Sequence, residues 1–146
     1  DLNRMSYHGS CLCGGIRYTV DGELGSFSLC HCTRCQKANG SAFSAGVTVS
    51  PDQVHLSDPH GYLTAYQSSS EALRYFCRHC GSPLYTLRPY TDARTMRLRA
   101  GTLDTPIDTK PMFHIFYADK APWFEAADNA PKHTAGLDSS LCDARP

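Results

Sequence analysis

The chain has 146 residues, of which 41% are hydrophobic and 19% charged, a balance that is typical of one folded domain and excludes an intrinsically disordered chain. Lysine and arginine together number 14, as do aspartate and glutamate, so the clustered positive charge of a broad nucleic-acid-binding surface is not expected. No apolar run reaches the roughly 18 residues of a membrane-spanning helix, and the first six residues lack the apolar stretch of a secretion signal. We therefore expect a cytoplasmic protein with neither nucleic acid nor membrane as a partner.

Most of the predicted elements are short β-strands. The first in chain order is 16–20, where Ile16, Tyr18 and Val20 alternate with polar residues at the period of a half-buried strand. One helical turn is predicted after Cys35, over 36–38, and another after Ser50. Further strands are predicted at 47–49, 62–66, 73–76, 84–87, 96–100 and 113–117. The predicted fold class is mainly β with short helical turns.

The composition changes near residue 126. Beyond this point Asp, Asn, Pro, Lys, His and Ser predominate, which is typical of a chain terminus outside the folded core. The sequence therefore predicts a folded domain over residues 6–126 and a C-terminal tail over residues 127–146.

Eight cysteines are the most informative feature of the sequence, and seven of them lie in tight groups. A disulfide scaffold is one reading, but such chains are usually secreted, shorter and richer in cysteine. Clustered cysteines without a secretion signal favour metal binding, and zinc is the metal best suited to thiolate ligands inside a cell. The groups are Cys11-x-Cys13, Cys30-x-Cys32-x-x-Cys35 and Cys77-x-x-Cys80, with Cys142 alone.

Two of these groups predict one closed metal site. The spacing of Cys77 and Cys80 is typical of a zinc knuckle, in which both sulfurs face one metal and Gly81 can adopt a positive φ. Cys11 and Cys13 offer a second pair. We interpret these four residues, the four-cysteine cluster, as ligands of a structural zinc that joins the start of the chain to its middle. One disulfide within each pair is the alternative, and it would need an oxidising compartment.

The remaining group, the three-cysteine cluster of Cys30, Cys32 and Cys35, predicts a site of a different kind. Three sulfurs within six residues can reach one zinc ion. An open site with a position for an incoming thiol or thiol adduct is the interpretation that we favour. The alternative is a second structural site, closed by one of several residues: His31, His79, Cys142 or an aspartate.

Three residues are candidates for holding the substrate at this cluster. Arg34 and Lys37 place positive charge beside it, as the carboxylates of a small anion would require, although a solvated turn explains them equally well. His114 lies in the apolar strand predicted at 113–117 and is a candidate proton donor near the zinc. A buried histidine with satisfied hydrogen bonds is the more common case.

Six motifs carry a family resemblance that runs from about Ser6 to Ala126. They are GSCLCG at 9–14, CHCTRC at 30–35, FCRHCGS at 76–82, GTLD at 101–104, HIF at 114–116 and KAPW at 120–123. With them, the sequence resembles the glutathione-dependent formaldehyde-activating enzymes, whose domain is shared with centromere protein V. All seven clustered cysteines stand at the spacing of this family.

The resemblance implies a zinc-stabilised, β-tent-like fold of packed antiparallel sheets with two zinc ions per chain. The four-cysteine cluster would hold the structural zinc and the three-cysteine cluster the functional one. It also implies a carbon–sulfur lyase, similar to S-(hydroxymethyl)glutathione synthase, that joins glutathione or a related small thiol to formaldehyde. Two alternatives stay open: a non-catalytic zinc-stabilised binding module, and a lyase that acts on a different thiol adduct.

Overall fold

The computed structural model of the chain describes residues 6–142, apart from the side chains of Asp92 and Ala93. Ten strands and one α-helix are found there, together with 3-10 turns at Pro51–Gln53, Ala100–Thr102 and Tyr117–Asp119. No helix in this part of the chain is long and apolar enough to cross a membrane. The elements are β1 (Ser6–Ser10), β2 (Arg17–Asp21), β3 (Phe27–Cys30), α1 (Thr33–Asn39), β4 (Ser44–Val49), β5 (Val54–Ser57), β6 (Leu63–Gln67), β7 (Leu73–Cys77), β8 (Pro83–Arg88), β9 (Asp92–Arg99) and β10 (Phe113–Ile115).

The described residues fall into two compact units. Unit one contains residues 6–25 and 47–108, and unit two contains residues 26–46 and 109–142. Each unit holds one of the two cysteine clusters complete, because residues 11, 13, 77 and 80 lie in unit one and residues 30, 32 and 35 lie in unit two.

Unit one is built from antiparallel strands. β1, β2 and β5 form a three-stranded sheet in the order β1-β2-β5, and β9, β8, β7 and β6 pair in that order. The alternating residues Ile16, Tyr18 and Val20 all point into the core, as their period of two requires. Leu84 and Cys77 are also fully buried there, so one member of the four-cysteine cluster belongs to the hydrophobic core.

Unit two carries β3, α1 and β10. Every residue of β3 is buried, and β10 pairs with it in parallel, with Ile115 opposite Cys30. The helix begins directly after Cys32, which acts as its N-cap, and it ends before Gly40, whose φ of 58° provides the left-handed C-cap. Main-chain hydrogen bonds from His114 to Pro131 and from His133 to His114 hold the segment after residue 128 alongside β10.

The mainly β fold class is confirmed, and the predicted elements differ from the structure in three details. The strand predicted at 113–117 ends at Ile115, because Phe116 has a φ of 54° and cannot continue it. The helix begins at Thr33, before Cys35, since the Cys32 side chain caps it. Strands β1, β3 and β5 were not predicted from the sequence: β1 contains one strong strand former, β3 is buried throughout and does not alternate, and β5 has four residues.

Candidate metal centres

The four-cysteine cluster is assembled from two turns of unit one. Cys11 and Cys13 lie in the turn between β1 and β2, while Cys77 ends β7 and Cys80 lies in the turn that leads to β8. The four sulfurs lie within 4.8 Å of one another, with 3.5 Å between those of Cys11 and Cys13 and 3.8 Å between those of Cys13 and Cys77. A compact set of four sulfurs is the donor set of a closed, tetrahedral metal site. These residues could hold a metal ion.

Local backbone geometry allows this approach of the sulfurs. Gly81 has a φ of 83°, a conformation that favours glycine, and its N–H donates to the Cys77 carbonyl at 2.7 Å. A Cβ on Gly15 would come within 2.7 Å of the Tyr62 ring and 3.4 Å of Cys13 Sγ, so this position also needs glycine. The knuckle glycine predicted from the sequence is therefore found, and a second glycine contributes to the same cluster.

Two thiols of the four-cysteine cluster have perturbed pKa values. Burial raises the pKa of Cys80, but hydrogen bonding to Ser82 and to backbone N–H groups lowers it by more, to about 5. The hydrogen bond from the Gly15 N–H lowers the pKa of Cys13. Burial and the hydrogen bonds with the other three cysteines raise this pKa by more, to about 12. Cys80 therefore loses its proton more readily than Cys13 does.

The three-cysteine cluster lies where β3 meets α1. Cys30 is the last residue of β3, Cys32 caps the helix, and Cys35 lies in its first turn. Their sulfurs lie within 4.8 Å of one another. Cys30 and Cys35 are buried and Cys32 is half-buried. Hydrogen bonds with the two other thiols, together with burial, raise the pKa of Cys30 well above its usual range. This cluster could also hold a metal ion.

Within residues 6–142, no fourth cysteine, histidine or carboxylate completes the three-cysteine cluster. His31 points its Nε2 at His114 Nδ1, at 2.8 Å. His79 stacks on Tyr62 in unit one, with 4.6 Å between ring centroids. The Cys142 N–H donates to the Lys132 carbonyl. The described candidates for a closing ligand are therefore not part of the cluster.

The predicted substrate residues lie in two different environments. Arg34 and Lys37 are exposed on α1, on either side of Cys35 in the sequence. His114 is fully buried, and both of its ring nitrogens make hydrogen bonds, Nδ1 to His31 and Nε2 to Asp128. His114 thus has the satisfied hydrogen bonds of a buried histidine. One of its partners, His31, lies between Cys30 and Cys32 in the sequence.

Sequence reasoning missed Asp128. Its carboxylate lies 2.9 Å from His114 Nε2 and 3.1 Å from the Lys132 ammonium. Burial raises the pKa of Asp128, but the hydrogen bonds from His114 and Lys132 lower it by more, below its usual value. Burial, together with Coulomb interactions with His114 and Lys120, lowers the pKa of His31 to about 4. No sequence signal marks Asp128, because it lies 14 residues from His114 in a polar stretch.

Comparison of the chain with known proteins finds a matching family, a similar protein and a similar fold. Residues 6–119 match the family described as glutathione-dependent formaldehyde-activating enzyme. An uncharacterized lyase of Schizosaccharomyces pombe is 37% identical over 79 residues, which are 54% of this chain and 56% of that protein. The chain thus spans a little over half the length of that curated relative. A crystal structure of a Rhodobacter sphaeroides protein has a similar fold, with a TM-score of 0.57 and 22% identity over 69% of this chain and 91% of the other.

Proposed function

Because the chain belongs to the glutathione-dependent formaldehyde-activating enzyme family, we propose that it is a zinc-dependent carbon–sulfur lyase that joins glutathione, or a related small thiol, to formaldehyde. The observation that carries the proposal is the three-cysteine cluster, in which three sulfurs converge without a fourth ligand among the described residues. Three protein ligands are the arrangement of a catalytic zinc site, whereas four are that of a structural one. The lyase name of the yeast relative supports the same reaction class.

The donor sets suit zinc in both clusters. Thiolate sulfur selects zinc over magnesium or calcium, which prefer oxygen ligands. Cys11, Cys13, Cys77 and Cys80 would hold a structural ion, and Cys30, Cys32 and Cys35 the functional one. When bound at the three-cysteine cluster, zinc would supply Lewis acidity that favours the thiolate of a substrate or polarises an aldehyde oxygen.

The reaction itself is an addition without a change of oxidation state. The thiol sulfur forms a bond to the formaldehyde carbon, the C=O double bond becomes a single bond, and the thiol proton ends on the oxygen. Cys32 is the half-buried member of the three-cysteine cluster, so its side is the one from which substrate approaches. Arg34 and Lys37 are exposed one and two residues from cluster cysteines, where they can pair with the carboxylates of glutathione.

The proposal is tested by the exchange rate between free glutathione and its formaldehyde adduct, measured by exchange NMR on protein that holds two zinc ions per chain. We expect the protein to accelerate exchange and Cys32→Ala to abolish the acceleration. Cys142→Ala is the matched control, because Cys142 is also half-buried but belongs to neither cluster, and it should retain full acceleration. A zinc-loaded protein without acceleration would contradict the proposal and favour a binding module or another thiol adduct.

A further inference from the structure

A continuous chain of hydrogen bonds leads away from the three-cysteine cluster, and the proposed function does not use it. It begins at His31, which lies between Cys30 and Cys32 in the sequence. His31 Nε2 lies 2.8 Å from His114 Nδ1, and His114 Nε2 lies 2.9 Å from Asp128 Oδ2. Both histidines are completely buried, so water cannot replace these partners.

The positions of the protons in this chain follow from its last member. An ionised carboxylate only accepts hydrogen bonds, so His114 Nε2 must carry the proton that faces Asp128. In a neutral His114 the other nitrogen, Nδ1, is then an acceptor, and His31 Nε2 must donate to it. With two neutral rings, His31 is therefore the Nε2–H tautomer, and its Nδ1 carries a lone pair.

The lone pair of His31 Nδ1 is enclosed. This nitrogen is buried and has no hydrogen-bond partner in the described structure. Three aromatic rings surround the imidazole, with centroid distances of 4.9 Å to Tyr117, 5.6 Å to Phe43 and 5.9 Å to Phe124. An unpaired buried polar atom is uncommon in native proteins.

Asp128 is itself held in place by several contacts. Lys132 Nζ donates to Asp128 Oδ1 at 3.1 Å, and the Ala130 N–H donates to the same oxygen at 3.2 Å. The segment that carries Asp128 is fixed beside β10 by the hydrogen bonds of His114 with Pro131 and His133. Asp128 lies after residue 119, where the match to the family ends.

We propose that Asp128, acting through His114, is a positioning residue of the three-cysteine cluster. It fixes the tautomer and the ring orientation of His31, and thereby the segment that carries Cys30 and Cys32. Hydrogen-bonded partners behind the ligands of a metal site commonly orient those ligands and alter metal affinity or activity by about 10- to 100-fold. The inference rests on the proposed function only for the identity of the metal, and its tests do not depend on glutathione.

Asp128→Asn is the informative variant because the contacts of the carboxylate dictate how the amide must lie. The donors Lys132 and Ala130 both point at Oδ1, so the amide oxygen stays at that position. His114 Nε2 lies 2.9 Å from Oδ2 and 3.1 Å from Oδ1, so the NH2 group that takes the place of Oδ2 is its nearer neighbour and donates to it. Every hydrogen bond in the chain reverses, and His31 becomes the Nδ1–H tautomer. A carboxylate-to-amide change beside a histidine is known to select the wrong tautomer in this way.

Two readouts on the zinc-loaded protein test the inference. Side-chain ¹⁵N NMR of His31 should show a bare Nδ1 in the wild type and a protonated Nδ1 in Asp128→Asn. A chelator should remove the zinc of the three-cysteine cluster first. This zinc should leave the variant at least about tenfold more readily than it leaves the wild type, while the zinc of the four-cysteine cluster is unaffected. Asp138→Asn, an exposed residue of the same C-terminal stretch, should match the wild type in both.

The outcomes separate this inference from the proposed function. A variant that keeps the wild-type tautomer, or that reverses it without weakening zinc retention, overturns the positioning role. A protein that fails to accelerate glutathione exchange but shows both expected changes contradicts the proposed function and leaves the positioning role in place.

Discussion

Replacing Cys80 with alanine should destabilise unit one by far more than the packing of this side chain explains. Cys80 is half-buried, so the loss of its sulfur from the interior accounts for about 1 kcal/mol of the free energy of unfolding. The larger contribution is expected from the zinc that the four-cysteine cluster is proposed to hold, because each tenfold loss of zinc affinity would lower the free energy of unfolding by about 1.4 kcal/mol. Removing one of four sulfurs and weakening binding about a thousandfold therefore costs about 4 kcal/mol. That is a large part of the total of about 5–15 kcal/mol for a typical domain.

Urea unfolding of the zinc-loaded proteins measures this cost. Cys142→Ala is the matched control, since it removes the same atoms from a residue of similar burial outside both clusters. We expect Cys142→Ala to stay within about 1 kcal/mol of the wild type and Cys80→Ala to lose about 4 kcal/mol or more, together with one zinc per chain. A Cys80→Ala protein that unfolds at the wild-type urea concentration would refute the assignment of Cys80 to a structural metal site.

Three further predictions concern the rest of the molecule. Cys32→Ala should keep the fold, because unit one retains its own cluster, and elemental analysis should show the loss of one zinc per chain. Global unfolding of this variant, seen by circular dichroism, would mean that both metals are structural. Gly15→Ala should cost about 1–3 kcal/mol in urea unfolding, since its Cβ would meet the Tyr62 ring at 2.7 Å, whereas Gly101→Ala, with no atom within 4 Å, should be neutral. Burial raises the pKa of Tyr85 from 10.0 to about 12, so the stability that it contributes is present below pH 10 and is lost as the pH rises towards 12. The free energy of unfolding should depend less steeply on pH between 10 and 12 in Tyr85→Phe than in the wild type. An unchanged slope would contradict the raised pKa of Tyr85.

The clusters could be predicted because cysteine chemistry leaves few options. A Cys-x-x-Cys pair followed by glycine favours a metal site where no secretion signal is seen, and the pairing of Cys11 and Cys13 with Cys77 and Cys80 follows once four sulfurs are needed for a closed site. The alternating strands, such as the one around Tyr18, could also be predicted, since their buried residues recur at a period of two.

What the sequence did not indicate depends on contacts between distant residues. β3 is buried on both faces, so it has no alternation to find, and its partner β10 follows more than eighty residues later. The left-handed conformation of Phe116 has no local sequence signal, and it shortens the strand that contains His114. Asp128 reaches His114 only because the stretch after residue 126 returns to β10. A polar composition predicts a tail there and carries no information about this return.

The three-cysteine cluster is proposed to hold a metal with one position open to an incoming thiol. Cobalt(II) in place of zinc reports thiolate ligands directly, because each one adds to a charge-transfer absorption. With two cobalt ions per chain, glutathione should raise this absorption by the increment of one further thiolate and saturate at one equivalent, while S-methylglutathione and the Cys32→Ala variant should show no change. An absorption that glutathione leaves unchanged in the wild type would contradict the claim and would mean that the protein itself closes the site.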